Sequence, residues 1–142
     1  MLPSMLLALS SAHATPDFPF TLEGMMCDAY WGEEYEFSLT FDETGCVDCE
    51  GYDGTGSVAP SPFFPSGRDI NDWSYNPRTR RLTAFIDFDW TLEGRWYPGE
   101  QCLAMATLTC EPYYCMPNQV IVCAGPLPDP LPAALRAEAT CW

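Results

Sequence analysis

The chain is predicted to be all-β: an antiparallel meander forming a small barrel or sandwich, stabilised by disulfides and ending in a proline-rich C-terminal extension. Three observations lead there. A period of two dominates the apolar pattern, no window in the body shows convincing helical spacing, and eight cysteines occur in 142 residues. Alternation places one face of a strand in a core and the other in water. An even cysteine count in a small chain implies a framework of up to four bridges, whose connectivity the spacing leaves open. Cys27, Cys46, Cys49, Cys102, Cys110, Cys115, Cys123 and Cys141 are all assigned to it.

The first element is not structural. An apolar run from Met5 to Leu9 precedes Ala12-His13-Ala14, which fits the small-x-small pattern of signal-peptide cleavage, although no Lys or Arg precedes it. We expect a secreted protein with a leader over 1–14, a β domain over 15–125 and a tail over 126–142.

Phe18–Leu22 and Cys27–Trp31 are short strand candidates. From Glu34 to Phe41 the apolar residues Tyr35, Phe37, Leu39 and Phe41 alternate strictly with Glu34, Glu36, Ser38 and Thr40. Asp42-Glu43-Thr44-Gly45 then reads as a turn. In Cys46–Gly56, CVDCEGYDGTG, the Asp53-Gly54 dipeptide signals a second reversal, and Ser57–Ala59 begins another strand. Asn76-Pro77-Arg78-Thr79 is a turn before Leu82, Ala84, Ile86, Phe88 and Trp90, which alternate as one strand. Leu103–Thr109 and Gln119–Cys123 complete seven or eight strands. Pro126–Pro132 is an extended connector leading to a short helix over Ala133–Ala139, and it returns Cys141 to a partner.

The order of these features resembles the up-and-down meander of small lipocalin-like and avidin-like barrels. The residues that carry the likeness are the acidic turn after Phe41, EGYDGTGSV, the YNPRTRRL turn and the Phe/Ile/Trp-rich strand. The resemblance implies a closed or nearly closed barrel whose mouth holds a small apolar ligand. AYWG around Trp31 stands only loosely for the lipocalin Gly-x-Trp, so no binding residue carries over. Asn76-Pro77-Arg78 with Trp96 and Glu100 is similar to fragments of the galectin sugar-binding signature. The His two residues before the Asn is Ser74 here, and the central Asn and final Arg are missing.

Charge and composition narrow the chemistry. Twenty acidic residues face six arginines and no lysine, a net charge of −14, which disfavours nucleic acid and anionic membranes as partners. The one histidine, His13, lies in the expected leader. Without His or Lys, neither a Ser-His-Asp nor a Cys-His arrangement nor a Schiff base can be built. A polysaccharide hydrolase working with two carboxylates would rest on Asp87 and Asp89, on one face of one strand, with Glu93 near them. The favoured expectation is no enzyme and no obligatory cofactor: a binding or structural module for a small apolar or sugar ligand.

Cys46-Val47-Asp48-Cys49 reads as structural, since a redox pair opens a helix and Asp48 would raise the thiol pKa. The carboxylates of Asp48, Glu50 and Asp53, beside flexible glycines, suit calcium in an extracellular adhesion or matrix protein. Position six of an EF-hand begun at Asp48 is Asp53 and position twelve is Ala59, so that loop type is excluded. Aromatics stack on sugars or line apolar cavities. Trp96 and Tyr97, near Gly94 and Pro98, are expected to be exposed by a turn and to contact a ligand together with Trp73; Trp90 is expected in the core.

Overall fold

The computed structural model describes residues 20–28, 32–43, 52–62, 64–87, 90–111 and 114–138. Eight strands form a closed antiparallel barrel: β1 (Phe20–Asp28), β2 (Glu33–Glu43), β3 (Tyr52–Val58), β4 (Arg68–Asn76), β5 (Arg81–Ile86), β6 (Trp90–Tyr97), β7 (Cys102–Glu111) and β8 (Tyr114–Cys123). Each strand pairs with its neighbour in sequence, and β8 closes on β1 with Glu23 opposite Cys123. The choice between barrel and sandwich is therefore settled for the barrel, in the up-and-down order the resemblance implied.

Alternation decides what faces inward. On β2, Phe37, Leu39 and Phe41 are buried in the interior while Glu34, Glu36 and Asp42 are exposed, as the sequence pattern requires. Leu22 and Met26 of β1, Leu82, Ala84 and Ile86 of β5, Leu103 and Met105 of β7, and Val120 and Val122 of β8 join the same core. The strand ends near Phe20 are filled by aromatics. Phe20 lies 5.9 Å from Phe41 and meets Trp96 edge-on at 6.2 Å, and Phe41 meets Trp73 at 5.4 Å.

Five readings of the sequence are corrected. The stretch 82–90 is not one strand: β5 ends at Ile86, Asp87 adopts a left-handed φ of 46°, and Trp90 begins β6 opposite Ile86. Asp42 and Glu43 belong to β2 rather than to a turn, and Asp53-Gly54 lies inside β3, opposite Ser74 and Trp73. β1 is continuous from Phe20 to Asp28 and joins the described parts of the two short candidates. β4 had no counterpart in the sequence reading, because its inward residues Ile70, Trp73 and Tyr75 do not follow a period of two; the register shifts between Ile70 and Asp72. A bulge inserts an extra residue and breaks alternation at that point.

Gly54 shows why a glycine occupies a strand interior. A Cβ there would stand 1.8 Å from the Asp42 carbonyl oxygen and 2.9 Å from Trp73 Nε1. The missing side chain lets the Trp73 indole cross over β3, where Nε1 donates to the carbonyls of Thr55 (2.8 Å) and Asp42 (3.1 Å). Gly94 plays the same part between β6 and β7, with the Ala104 carbonyl 2.2 Å from where its Cβ would be.

The tail after Cys123 runs without regular structure to α1 (Ala133–Glu138), within the expected helix. It covers the outer face of the barrel. Leu135 is fully buried against Cys102, Ala104, Ile121 and Cys123, with Tyr97, Leu127 and Leu131 packed around them. Under it, Cys102 and Cys123 sit directly opposite each other on β7 and β8 and form a disulfide.

Candidate ligand site at the Phe64 end of the barrel

The two ends of the barrel differ. At the end holding Phe20, aromatic rings fill the interior. At the other end, the connection between β3 and β4 folds back and inserts Phe64, which is 3% exposed, into the core. Its ring lies 6.3 Å from Phe37 and 5.3 Å, edge-on, from Trp90.

The sequence SPFFPSGR explains the local fold. Phe64 N–H donates to Ser61 Oγ at 3.1 Å, and the Phe64 carbonyl accepts from Ser61 N at 2.9 Å and from Gly67 N at 2.9 Å. Gly67 takes a φ of 70°, a conformation that glycine adopts without steric penalty. Two consecutive turns thus present Phe64 inward. Arg68 covers the ring from outside, its guanidinium carbon 5.6 Å from the ring centre, and pairs with Asp87 at 3.2 Å. Hollows of about 400 and 360 Å³ flank this loop, the first between Glu23, Glu36 and Pro60–Pro62, the second between Ser57, Gly67 and Asp87.

Asn118 lies at the same end. It follows the inward register of Val120 and Val122 on β8, opposite Asp28 of β1 and Thr107 of β7, and is 1% exposed. Its Oδ1 accepts no hydrogen bond. A buried acceptor without a donor is destabilising by about 1–3 kcal/mol, so this amide is an oriented polar point in an apolar interior. Nearby on β2, the Tyr35 hydroxyl donates to Glu33.

The structure distributes the expected site residues widely. Trp96 is 2% exposed and Trp73 fully buried. The expectation that a turn exposes Trp96 is corrected: Gly94 is a strand residue, and Trp96 points inward from β6. Tyr97 faces the opposite way, half-buried under the tail. The three therefore form no common surface. Trp90 packs against the core, as expected. Asp87 sits in a turn and Glu93 is exposed on β6, so the one-strand face proposed for Asp87 and Asp89 does not exist; Asp89 lies outside the described residues.

Among the expected calcium ligands, Asp53 is half-buried on β3, whereas Asp48 and Glu50 lie outside the described residues. Among the described residues, no three His, Cys, Asp or Glu side chains are grouped to hold a metal ion. Cys27 is disulfide-bonded, and the backbone register sets Cys110 opposite Cys115. Cys46, Cys49 and Cys141 lie outside the described residues.

Sequence reasoning missed Phe64, Arg68 and Asn118. A large apolar residue amid Pro, Ser and Gly was a usable signal that the loop packs back on the body. Asn118 offered none, since its position is defined only by the register of β8. The chain matches no protein-family model, and no curated protein or solved structure is significantly similar to it.

Proposed function

We propose that the protein is a secreted binding module without catalytic chemistry, lipocalin-like or avidin-like in its manner of holding a ligand. The ligand is a small molecule with an apolar body and one hydrogen-bond donor. The observation that carries this reading is the unpaired Oδ1 of Asn118, buried in the interior at the barrel end stoppered by Phe64. An eight-stranded barrel is just wide enough to be filled by side chains or to admit one small ligand. Phe64 belongs to a loop rather than to a strand, so its displacement would open space without breaking the sheet. A hydroxyl or amine of the ligand would then satisfy Asn118. Secretion is supported by the leader pattern and by the Cys102–Cys123 disulfide, a bond that persists in oxidising compartments.

Native mass spectrometry of the folded protein with a neutral long-chain alcohol and with the alkane of equal length tests the proposal. A 1:1 alcohol complex is expected. Asn118→Leu should weaken it about tenfold, the worth of one hydrogen bond, while leaving alkane binding unchanged. The same variant should stabilise the unliganded protein by about 1 kcal/mol, because the unpaired acceptor is gone. Absence of the alcohol complex at saturating probe, or unchanged alcohol affinity in Asn118→Leu, would overturn the reading.

A further inference from the structure

On the reading that a ligand displaces Phe64, we propose that Arg68 and Asp87 form a latch that keeps the ring seated and so regulates entry to the barrel. The ion pair joins two parts of the frame. Arg68 is the first residue of β4 and pairs with Val58 at the end of β3. Asp87 follows the end of β5, and its N–H donates to the Asp69 carbonyl at 3.1 Å. Neither residue belongs to the loop that carries Phe64. Yet the Arg68 guanidinium carbon lies 5.6 Å from the Phe64 ring centre, and Asp87 Oδ2 holds Arg68 Nη1 at 3.2 Å. The ring is restrained by a group anchored outside its own loop.

Turning Phe64 outward disrupts two sets of contacts. The Phe64 carbonyl accepts from Ser61 N–H and Gly67 N–H, and Phe64 N–H donates to Ser61 Oγ; rotating this backbone breaks those bonds. The guanidinium must also leave the ring face, which ends the cation–π contact and pulls Arg68 from Asp87. The Arg68 and Asp87 side chains are 50% and 32% exposed, and an ion pair so open to water shifts an equilibrium by only about two- to fivefold. The cation–π contact contributes a factor of similar size. That strength suits a latch, since it biases the loop towards closure without locking it.

The consequence for binding has an unusual sign. A ligand that binds only the open state has an apparent dissociation constant raised by the rarity of that state. Loss of a residue that touches the ligand weakens binding, whereas loss of the latch tightens it. Asp87→Asn isolates the charge, because Asn adopts the left-handed backbone readily and keeps the φ of 46° found there.

The test uses the folded full-length protein with two measurements. Hydrogen exchange of the Ser61 and Gly67 amides, without ligand, reads the open population; native mass spectrometry with the neutral long-chain alcohol reads affinity. Asp87→Asn should quicken exchange at both amides about threefold and lower the dissociation constant of the alcohol by the same factor. Arg68→Gln, which also removes the cation–π contact, should change both about tenfold, and adding Asp87→Asn to it should change nothing further. Asp69→Asn, an equal change of charge beside Arg68, should leave both readings at the parent value. Unchanged exchange in Asp87→Asn, or equal effects of Asp87→Asn and Asp69→Asn, would overturn the latch whatever the alcohol does. Faster exchange with unchanged alcohol affinity would overturn its control of entry. Faster exchange with no alcohol complex in any variant would overturn the ligand reading alone and leave the latch as a restraint on Phe64.

Discussion

Trp73 and Gly54 form one unit. The indole is fully buried and pairs its only polar atom with two carbonyls, and it can do so only because residue 54 has no side chain. Gly54→Ala would force a methyl group into the Asp42 carbonyl, a backbone atom held by the β2–β3 ladder. Urea denaturation should show a loss of about 2 kcal/mol or more, at the upper part of the usual range for overpacking. Gly99→Ala is the control, since nothing lies within 4 Å of a Cβ there, and its stability should equal or slightly exceed that of the parent. Equal losses at the two positions would refute the steric account. Residues of this kind also mark the limit of the sequence reading. Asp-Gly in strand β3 and Gly94 in β6 read as turn signals, because in sequence a glycine required by close backbone approach looks the same as one required by a reversal.

Elements were legible where their side chains obeyed one period. β2 could be read nearly residue by residue, and the outer parts of β7, β8 and α1 were recognisable. β4 was not, since its bulge shifts the inward positions, and Leu82–Trp90 reads as a single strand because Ile86 and Trp90, on either side of the turn, keep the same spacing. The candidate ligand site suffered most: Phe64 belongs to no periodic segment, and Asn118 acquires meaning only from its neighbours across the sheet. The tail packs on the barrel through Leu135, with Leu127 and Leu131 beside it. Leu135→Ala should weaken its docking by about 2–3 kcal/mol, towards the lower end for such truncations. Trypsin cleavage after Arg136, an exposed residue of α1, should then quicken by roughly tenfold or more while barrel amides keep their protection from hydrogen exchange. Cooperative loss of barrel protection would show instead that tail and barrel unfold as one.

For the molecule as a whole, charge and closure dominate. With 20 acidic and 6 basic side chains, the native state compresses a large negative charge into a small volume, which opposes compaction. Raising sodium chloride from about 0.01 to 0.15 M shortens the screening length from about 30 to 8 Å, so the melting temperature should rise by roughly a few degrees. A fall would mean that attractive ion pairs outweigh the repulsion. Closure has a different bearing, on the order in which the chain is made. Synthesis proceeds from β1 to β8, yet β1 finds its second partner only in β8. Until the residues up to Cys123 have emerged, β1 and β7 both remain unpaired along one side, and such strands recruit other chains. The finished barrel leaves no such row of backbone groups between β1 and β8. The interval of greatest exposure to misassociation therefore lasts until β8 is free to pair with both β7 and β1, and a product terminated ahead of β8 would carry that exposure permanently.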